Sequence, residues 1–225
     1  MYLKNQCSCA GCKKPAISNI DDKGNLIETS QFCWKHTTNS EEVKDRLFKY
    51  LQKHEKVVGV NFSGMTFDKI QLEGHKFYGC DFSHCFFQNL NCTKLRFRMC
   101  KFDFAVFNDC NLLESNVQFT SFSGAKFIHV LFTGSDLIQN NFNGIASYQS
   151  SFDDSDLYNS RFIRARLVDT SIRNCNVKKT MFYEIQQNNV SYKLSNTNEA
   201  IFDKTGSALF TGDNSAENSI TGVPV

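Results

Sequence analysis

Five residues near the amino terminus could bind a metal ion: Cys7, Cys9, Cys12, Cys33 and His36. They fall in two runs, Cys7-Ser8-Cys9-Ala10-Gly11-Cys12 and Cys33-Trp34-Lys35-His36, joined by a largely polar spacer of 20 residues. Thiolate and imidazole are donors that zinc prefers, and two close ligand pairs on separate turns supply a tetrahedral set with little chain strain. Cys33-x-x-His36 is one pair. The other is Cys7-x4-Cys12 or Cys9-x-x-Cys12, and the spacing permits both. Four protein ligands imply a folding role for the ion, because no coordination position is left for a substrate. Elsewhere the chain assembles no catalytic motif: His54, His75, His84 and His129 are scattered, and no glycine loop has a phosphate-cradling spacing. The sequence therefore reads as non-enzymatic.

The rest of the chain must position this module, and its pattern is a period of five. Of the 25 positions taken every fifth residue from Phe62 to Phe182, 15 are Phe, five Leu, two Val and one Ile; Cys92 and Ser147 are the exceptions. Neither a helix, at 3.6 residues, nor a strand, at 2, keeps such a series on one face. Two residues before each member runs a second column of small side chains, such as Cys80, Cys85, Cys100, Ala105, Cys110, Ser135, Ser155 and Cys175. One large and one small inward residue per five describe a filled solenoid. The residue just before the large one is often Asn or Asp, as at Asn61, Asp81, Asn141, Asp156 and Asn176, where a short side chain can bond the backbone at a turn. Glycines 64, 74, 79, 124, 134 and 144 share the position two after it, which points to a backbone site favouring positive φ. His75, Leu90 and Leu95 are large for the small column and predict a wider or bulged early rod, and Ser147 predicts a local irregularity.

Units such as Cys80-Asp81-Phe82-Ser83-His84, Ser135-Asp136-Leu137-Ile138-Gln139 and Ser155-Asp156-Leu157-Tyr158-Asn159 resemble the pentapeptide-repeat family over residues 60 to about 184. The resemblance implies an all-β solenoid: a right-handed quadrilateral parallel β-helix with four five-residue sides per coil and about six coils. At about 4.8 Å per coil, such a rod is on the order of 30 Å long. The Cys/His stretch in turn resembles zinc knuckles of the form Cys-x4-Cys, with Gly before the second Cys, followed by an aromatic-flanked Cys-x2-His. That resemblance implies a structural zinc on Cys7, Cys12, Cys33 and His36, with Cys9 the alternative to Cys7.

Charge separates two functional classes. The family's quinolone-resistance members imitate duplex DNA with an acidic rod and occupy gyrase. Here residues 60–184 carry 13 Lys/Arg against 12 Asp/Glu, and the chain is +2 overall, so a topoisomerase-directed role loses its electrostatic basis. Direct nucleic-acid binding is equally disfavoured, since Arg96, Arg98, Arg161, Arg164 and Arg173 are interrupted by acids. Of the ten cysteines, six stand in the inward columns as compact buried groups, which argues against a disulfide framework. No segment reads as a signal peptide or a membrane span, so the expectation is a cytoplasmic chain with no membrane partner.

The expected organisation is a Cys/His module at 1–38, a capping helix at 39–57, the repeat at 58–185, an irregular coil or cap at 186–211 and a flexible tail at 212–225. The helix begins at Asn39 or Ser40 and offers Val43, Leu47, Tyr50, Leu51 and His54 to the first coil. Ala208-Leu209-Phe210 is a segment that could pair with a neighbour. Because residues 20 apart stack, Phe86 with Val106, Met99 with Phe119, and nearby Phe104 form candidate apolar ladders for a protein partner or a second copy of the chain.

Overall fold

The computed structural model describes residues 5–21, 23–27 and 31–202. Its repeat is a parallel β-solenoid, and the pairing never loses its offset of 20 residues. One side of the rod is a seven-stranded sheet, from Thr66–Asp68 through Phe86–Gln88, Val106–Asn111, Lys126–Leu131, Ala146–Tyr148 and Arg166–Val168 to Gln186–Asn188. Another side carries a four-stranded sheet, from Lys56–Val58 through Lys76–Tyr78 and Arg96–Arg98 to Asn116–Gln118. The remaining sides pair by single parallel bridges, among them a series running from Asn61 to Ile201. That series carries the solenoid to about seven coils, one beyond the six expected.

All 25 residues of the period-five column are buried, and so is the small column from Leu72's neighbour His75 to Thr180. Successive coils place like residues over like. Phe62, Phe82, Phe102, Phe122, Phe142, Phe162, Phe182 and Phe202 form one continuous stack, with ring centroids 4.8–5.1 Å apart and near-parallel planes. The coil rise imposes this spacing, and adjacent columns meet the stack edge-on, as Phe97 meets Phe102 at 89°. The small column seals the corners: the hydroxyls of Ser155, Ser160 and Thr180 donate to Phe132, Leu137 and Leu157 carbonyls in the preceding coil at 3.0, 2.7 and 2.7 Å. Burial pushes the Cys110 thiol up to about 11 and those of Cys85 and Cys175 up to about 12, whereas Cys80, bonded by the Cys100 thiol, is lowered.

Two expectations about irregularity are corrected. Leu90 and Leu95 enter the core without a bulge, since Phe77 still pairs with Phe97 and Phe87 with Phe107; they border a narrow apolar void of about 20 Å³. Ser147 also keeps register, between Phe127 and Leu167, and its hydroxyl lies 3.1 Å from that of Thr170. The asymmetry is chemical only. The expected turn bonds are present, as in Ser83 N–H to Asp81 Oδ1 at 2.9 Å and Tyr158 N–H to Asp156 Oδ1 at 2.9 Å.

The glycine column turns out to mark a backbone rule for every corner. All 28 residues taken every fifth from Gly59 to Leu194 have positive φ, and 21 of them are not glycine. One corner column carries Asp109, His129 and Gln149. The imidazole of His129 bonds Asp109 Oδ1 through Nδ1 at 3.0 Å and Gln149 Oε1 through Nε2 at 2.6 Å. Two acceptors call for two ring protons, so the bonds to Gln149 and then Asp109 raise the His129 pKa.

The helix Ser40–Lys53 closes the first coil. Val43, Leu47 and Leu51 are buried in the core cluster, Phe48 packs against Phe67 with ring centroids 5.4 Å apart and planes tilted by 33°, and His75 Nε2 lies 2.9 Å from the Leu51 carbonyl at the helix end. That bond explains a large residue in the small column. His54 is corrected: it follows the helix, exposed, with its ring stacked on Tyr50 at 4.2 Å. The candidate segment Ala208-Leu209-Phe210 and the tail from 212 lie outside the described residues.

Two measurements test this account. Phe122→Ala, which breaks the phenylalanine stack, should cost about 3–5 kcal/mol in chemical denaturation, whereas Met99→Gly at a corner should be neutral or stabilising by up to about 1 kcal/mol. By NMR, His129 should titrate above the ordinary histidine value and Asp109→Asn should lower it. Because the folded pKa is the higher one, the stabilisation from this triad is complete below the unfolded pKa and disappears as pH rises through the folded pKa.

Candidate metal centre and the surfaces around it

Cys7, Cys12, Cys33 and His36 converge, with their ligand atoms all within 4.8 Å of one another. Local backbone bonds place them. Cys7 N–H donates to the Lys14 carbonyl at 2.9 Å, beside an antiparallel bridge between Gln6 and Pro15, and Ser8 N–H reaches the Gln31 carbonyl at 2.8 Å. Cys12 N–H closes a turn on the Cys9 carbonyl at 3.0 Å. Gly11, at φ +75°, supplies the left-handed residue that swings Cys12 back toward Cys7. The single 3-10 turn Trp34–His36 puts Cys33 and His36 on one side, tied by His36 N–H to the Cys33 carbonyl at 2.9 Å.

The separations fit a tetrahedral ion. Ligands bound at about 2.3 Å (sulfur) and 2.0–2.1 Å (nitrogen) stand about 3.8 Å apart for a sulfur pair and about 3.6 Å for sulfur and nitrogen. Cys12 Sγ and Cys33 Sγ are 3.9 Å apart, and His36 Nδ1 is 3.3 Å from Cys7 Sγ and 3.5 Å from Cys33 Sγ. Those sulfurs are too distant for a disulfide. Burial opposes ionisation of Cys7, yet the Cys33 backbone N–H, His36 and the Cys9 backbone N–H outweigh it and lower the thiol to about 6. At Cys12 the Lys14 backbone N–H favours the thiolate, but burial and the Cys7 and Cys33 sulfurs prevail and raise it. An arrangement of this kind could hold one metal ion on four protein donors. Cys9 is outside the cluster.

The module is fastened to the rod. Asn61, buried, donates from Nδ2 to the Ala16 carbonyl at 2.6 Å and from its N–H to Ser18 Oγ at 2.9 Å, while Ser18 N–H returns to the Asn61 carbonyl at 2.9 Å. Trp34, inside the metal-ligand pair, lies against Gly64, where a Cβ would meet the Trp34 Cβ at 3.2 Å.

The apolar surface residues divide by edge. Met99 and Phe119 share one corner column and are exposed, at 65% and 55%; Phe104, at 59%, is on the next corner. Phe86 pairs with Val106 on the seven-stranded side, and both are only half-exposed.

Residues 125–202 match a sequence family described as pentapeptide repeat region, and residues 100–139 match pentapeptide repeats in eight copies. Between them the two matches span residues 100–202, so the later coils of the rod are similar to pentapeptide repeats. Solved structures of similar fold include the pentapeptide-repeat protein Rfr23 from the cyanobacterium Cyanothece 51142, at 10% identity over 71% of this chain and 99% of that one, with a TM-score of 0.42. QnrB1, a plasmid-mediated fluoroquinolone resistance protein, has 17% identity, coverage of 75% and 92%, and a TM-score of 0.41. HetL, involved in heterocyst differentiation regulation in Nostoc sp. strain PCC 7120, has 12% identity, coverage of 74% and 98%, and a TM-score of 0.28. No curated protein matches the chain significantly.

Against the rod, Trp34 is the residue that sequence reasoning left aside. Its signal was its place between two ligands, but only the fold shows that it contacts the solenoid. Elemental analysis of the purified chain should find about one metal ion per chain. Cys33→Ser should lose the ion and lower the melting temperature, and Cys9→Ser should keep it.

Proposed function

We propose that the chain is a non-enzymatic protein-interaction scaffold, a rigid rod with an amino-terminal module folded around zinc. Three thiols and an imidazole form a donor set suited to zinc, and four protein ligands give that ion a structural role. Ten free cysteines suit a reducing, cytoplasmic compartment. Among the described residues, no helix is long and apolar enough to cross a membrane.

The observation that carries the scaffold reading is the trio Met99, Phe104 and Phe119. Each is more than half exposed and each holds a left-handed corner, where glycine or asparagine would be accommodated more easily. Bulky apolar residues kept where neither burial nor backbone favours them support a partner surface. Phe86 and Val106 extend it along the adjoining side. A gyrase or topoisomerase-binding resistance role rests on family likeness alone, and the balanced charge of the rod gives it no electrostatic basis.

Light scattering and a supercoiling assay test the reading together. If the partner is a second copy, Phe119→Asp or Phe86→Asp should dissociate the assembly; retention in both variants removes these ladders. The chain should give gyrase no protection from quinolone, and protection at about micromolar protein would replace the scaffold reading with the topoisomerase one.

A further inference from the structure

A groove of about 480 Å³ runs between the Cys/His module and the rod. Its walls are aromatic. Trp34 closes one side over Gly64, and His84 and Phe104 form the other, stacked at 5.3 Å and 11° on successive coils. Phe104 extends over Gly124, where a Cβ would meet its ring at 2.7 Å, so that glycine leaves the ring its place. Lys14, Lys35 and Lys101 also line the groove, all exposed and none in a salt bridge among the described residues.

The carboxylates present are engaged by the rod. Asp81 accepts from Ser83 N–H at 2.9 Å, and Asp103 accepts from the Ser121 hydroxyl and from Ser123 N–H at 3.2 Å. Backbone donors are engaged too: Gly64, His84 and Phe104 N–H groups donate to the next coil at 3.0, 2.9 and 2.8 Å. What the groove offers is flat apolar walls rimmed by unpaired cations. Such a surface complements an acidic segment with an aromatic side chain, the ring inserting between Trp34 and the wall of His84 and Phe104 while its carboxylates face the lysines.

We propose that this groove docks an acidic, aromatic-bearing peptide segment of a protein partner, a proposal that rests on the scaffold reading and gives it a location. The module then has a recognition role as well as a structural one, since its ligand turn carries Trp34.

Trp34 is the single tryptophan of the chain and reports on the site directly. A short Glu-rich peptide with one central Phe, titrated into the purified full chain, should change Trp34 emission saturably. The same peptide without Phe should bind about tenfold more weakly, as should the Phe peptide to Lys35→Glu/Lys101→Glu. Phe104→Gly should bind weakly yet melt no lower than the parent, because glycine suits that corner, so its loss of binding cannot be ascribed to unfolding. No response up to about millimolar peptide, an equal response to a Lys-rich peptide, or a response to single-stranded DNA instead would overturn the proposal. If a protein partner binds the parent and both variants alike, the groove assignment fails while the scaffold reading stands.

Discussion

The structure depends on one constraint: each side of the rod must pair with the side 20 residues later. The N–H groups of Phe82, Phe102, Phe122 and Phe142 donate to carbonyls of the next coil at 2.6–2.8 Å, and this ladder fixes the rise. Once the rise is fixed, an interior side chain must tolerate its counterpart about 4.8 Å away. Phenylalanine does so by stacking, and the column from Phe62 to Phe202 is the result. Small residues predominate in the other inward column, although Leu90, Leu95, Val130 and Ile145 are buried there as well. Where the column holds Asn140, both ends of its amide are bonded, the oxygen accepting from Thr120 N–H and the nitrogen donating to the Val117 carbonyl, both at 2.9 Å.

The same ladder creates the corners. A chain that turns every five residues needs a left-handed residue at each turn, and for the 21 non-glycine corners the conformation is unfavourable on the order of 1 kcal/mol each. Burial of two residues in every five, together with the inter-coil bonds, offsets that cost. Corner side chains are consequently chosen on other grounds. Many are Asn, Asp, Gln or Lys; the Asp109, His129 and Gln149 column turns exposure into a polar ladder. Met99, Phe104 and Phe119 follow neither logic, which makes them informative.

The fold was legible because every five residues meet the same surroundings, so a local pattern carries global information. Phe62 to Phe182 announces the tube, and the i−2 thiols announce their own burial. Legibility declines where the environment is set by contacts between unlike elements. His75 looks oversized until the helix carbonyl of Leu51 is placed beside it, and His54 looks apolar-facing because helical spacing cannot show that the helix has already ended. The last coil fades in sequence since Gln187 stands in the large column, yet Tyr192 donates its hydroxyl to Gln187 Oε1 at 3.1 Å and the pairing continues to Ile201. The convergence of Cys12, Cys33 and His36 was readable from spacing, whereas the choice between Cys7 and Cys9 as the fourth donor depends on the bridge between Gln6 and Pro15 that turns Cys7 inward.

The module and the rod cannot be treated as independent. Asn61 belongs to the first coil and bonds Ala16 and Ser18, so folding that coil restricts the chain between the two ligand pairs. Conversely, Trp34 is held by the turn whose ends are Cys33 and His36, and it occupies space that Gly64 leaves on the rod. An ion held by the four donors would thus also fix an aromatic wall on the solenoid. By linkage, whatever amount a bound ion would add to the contact of Trp34 with the rod, that contact would add to retention of the ion. A coupling of that sign would let a small module, too short to build a core of its own, hold its place on the outside of a repeat that has already filled its interior.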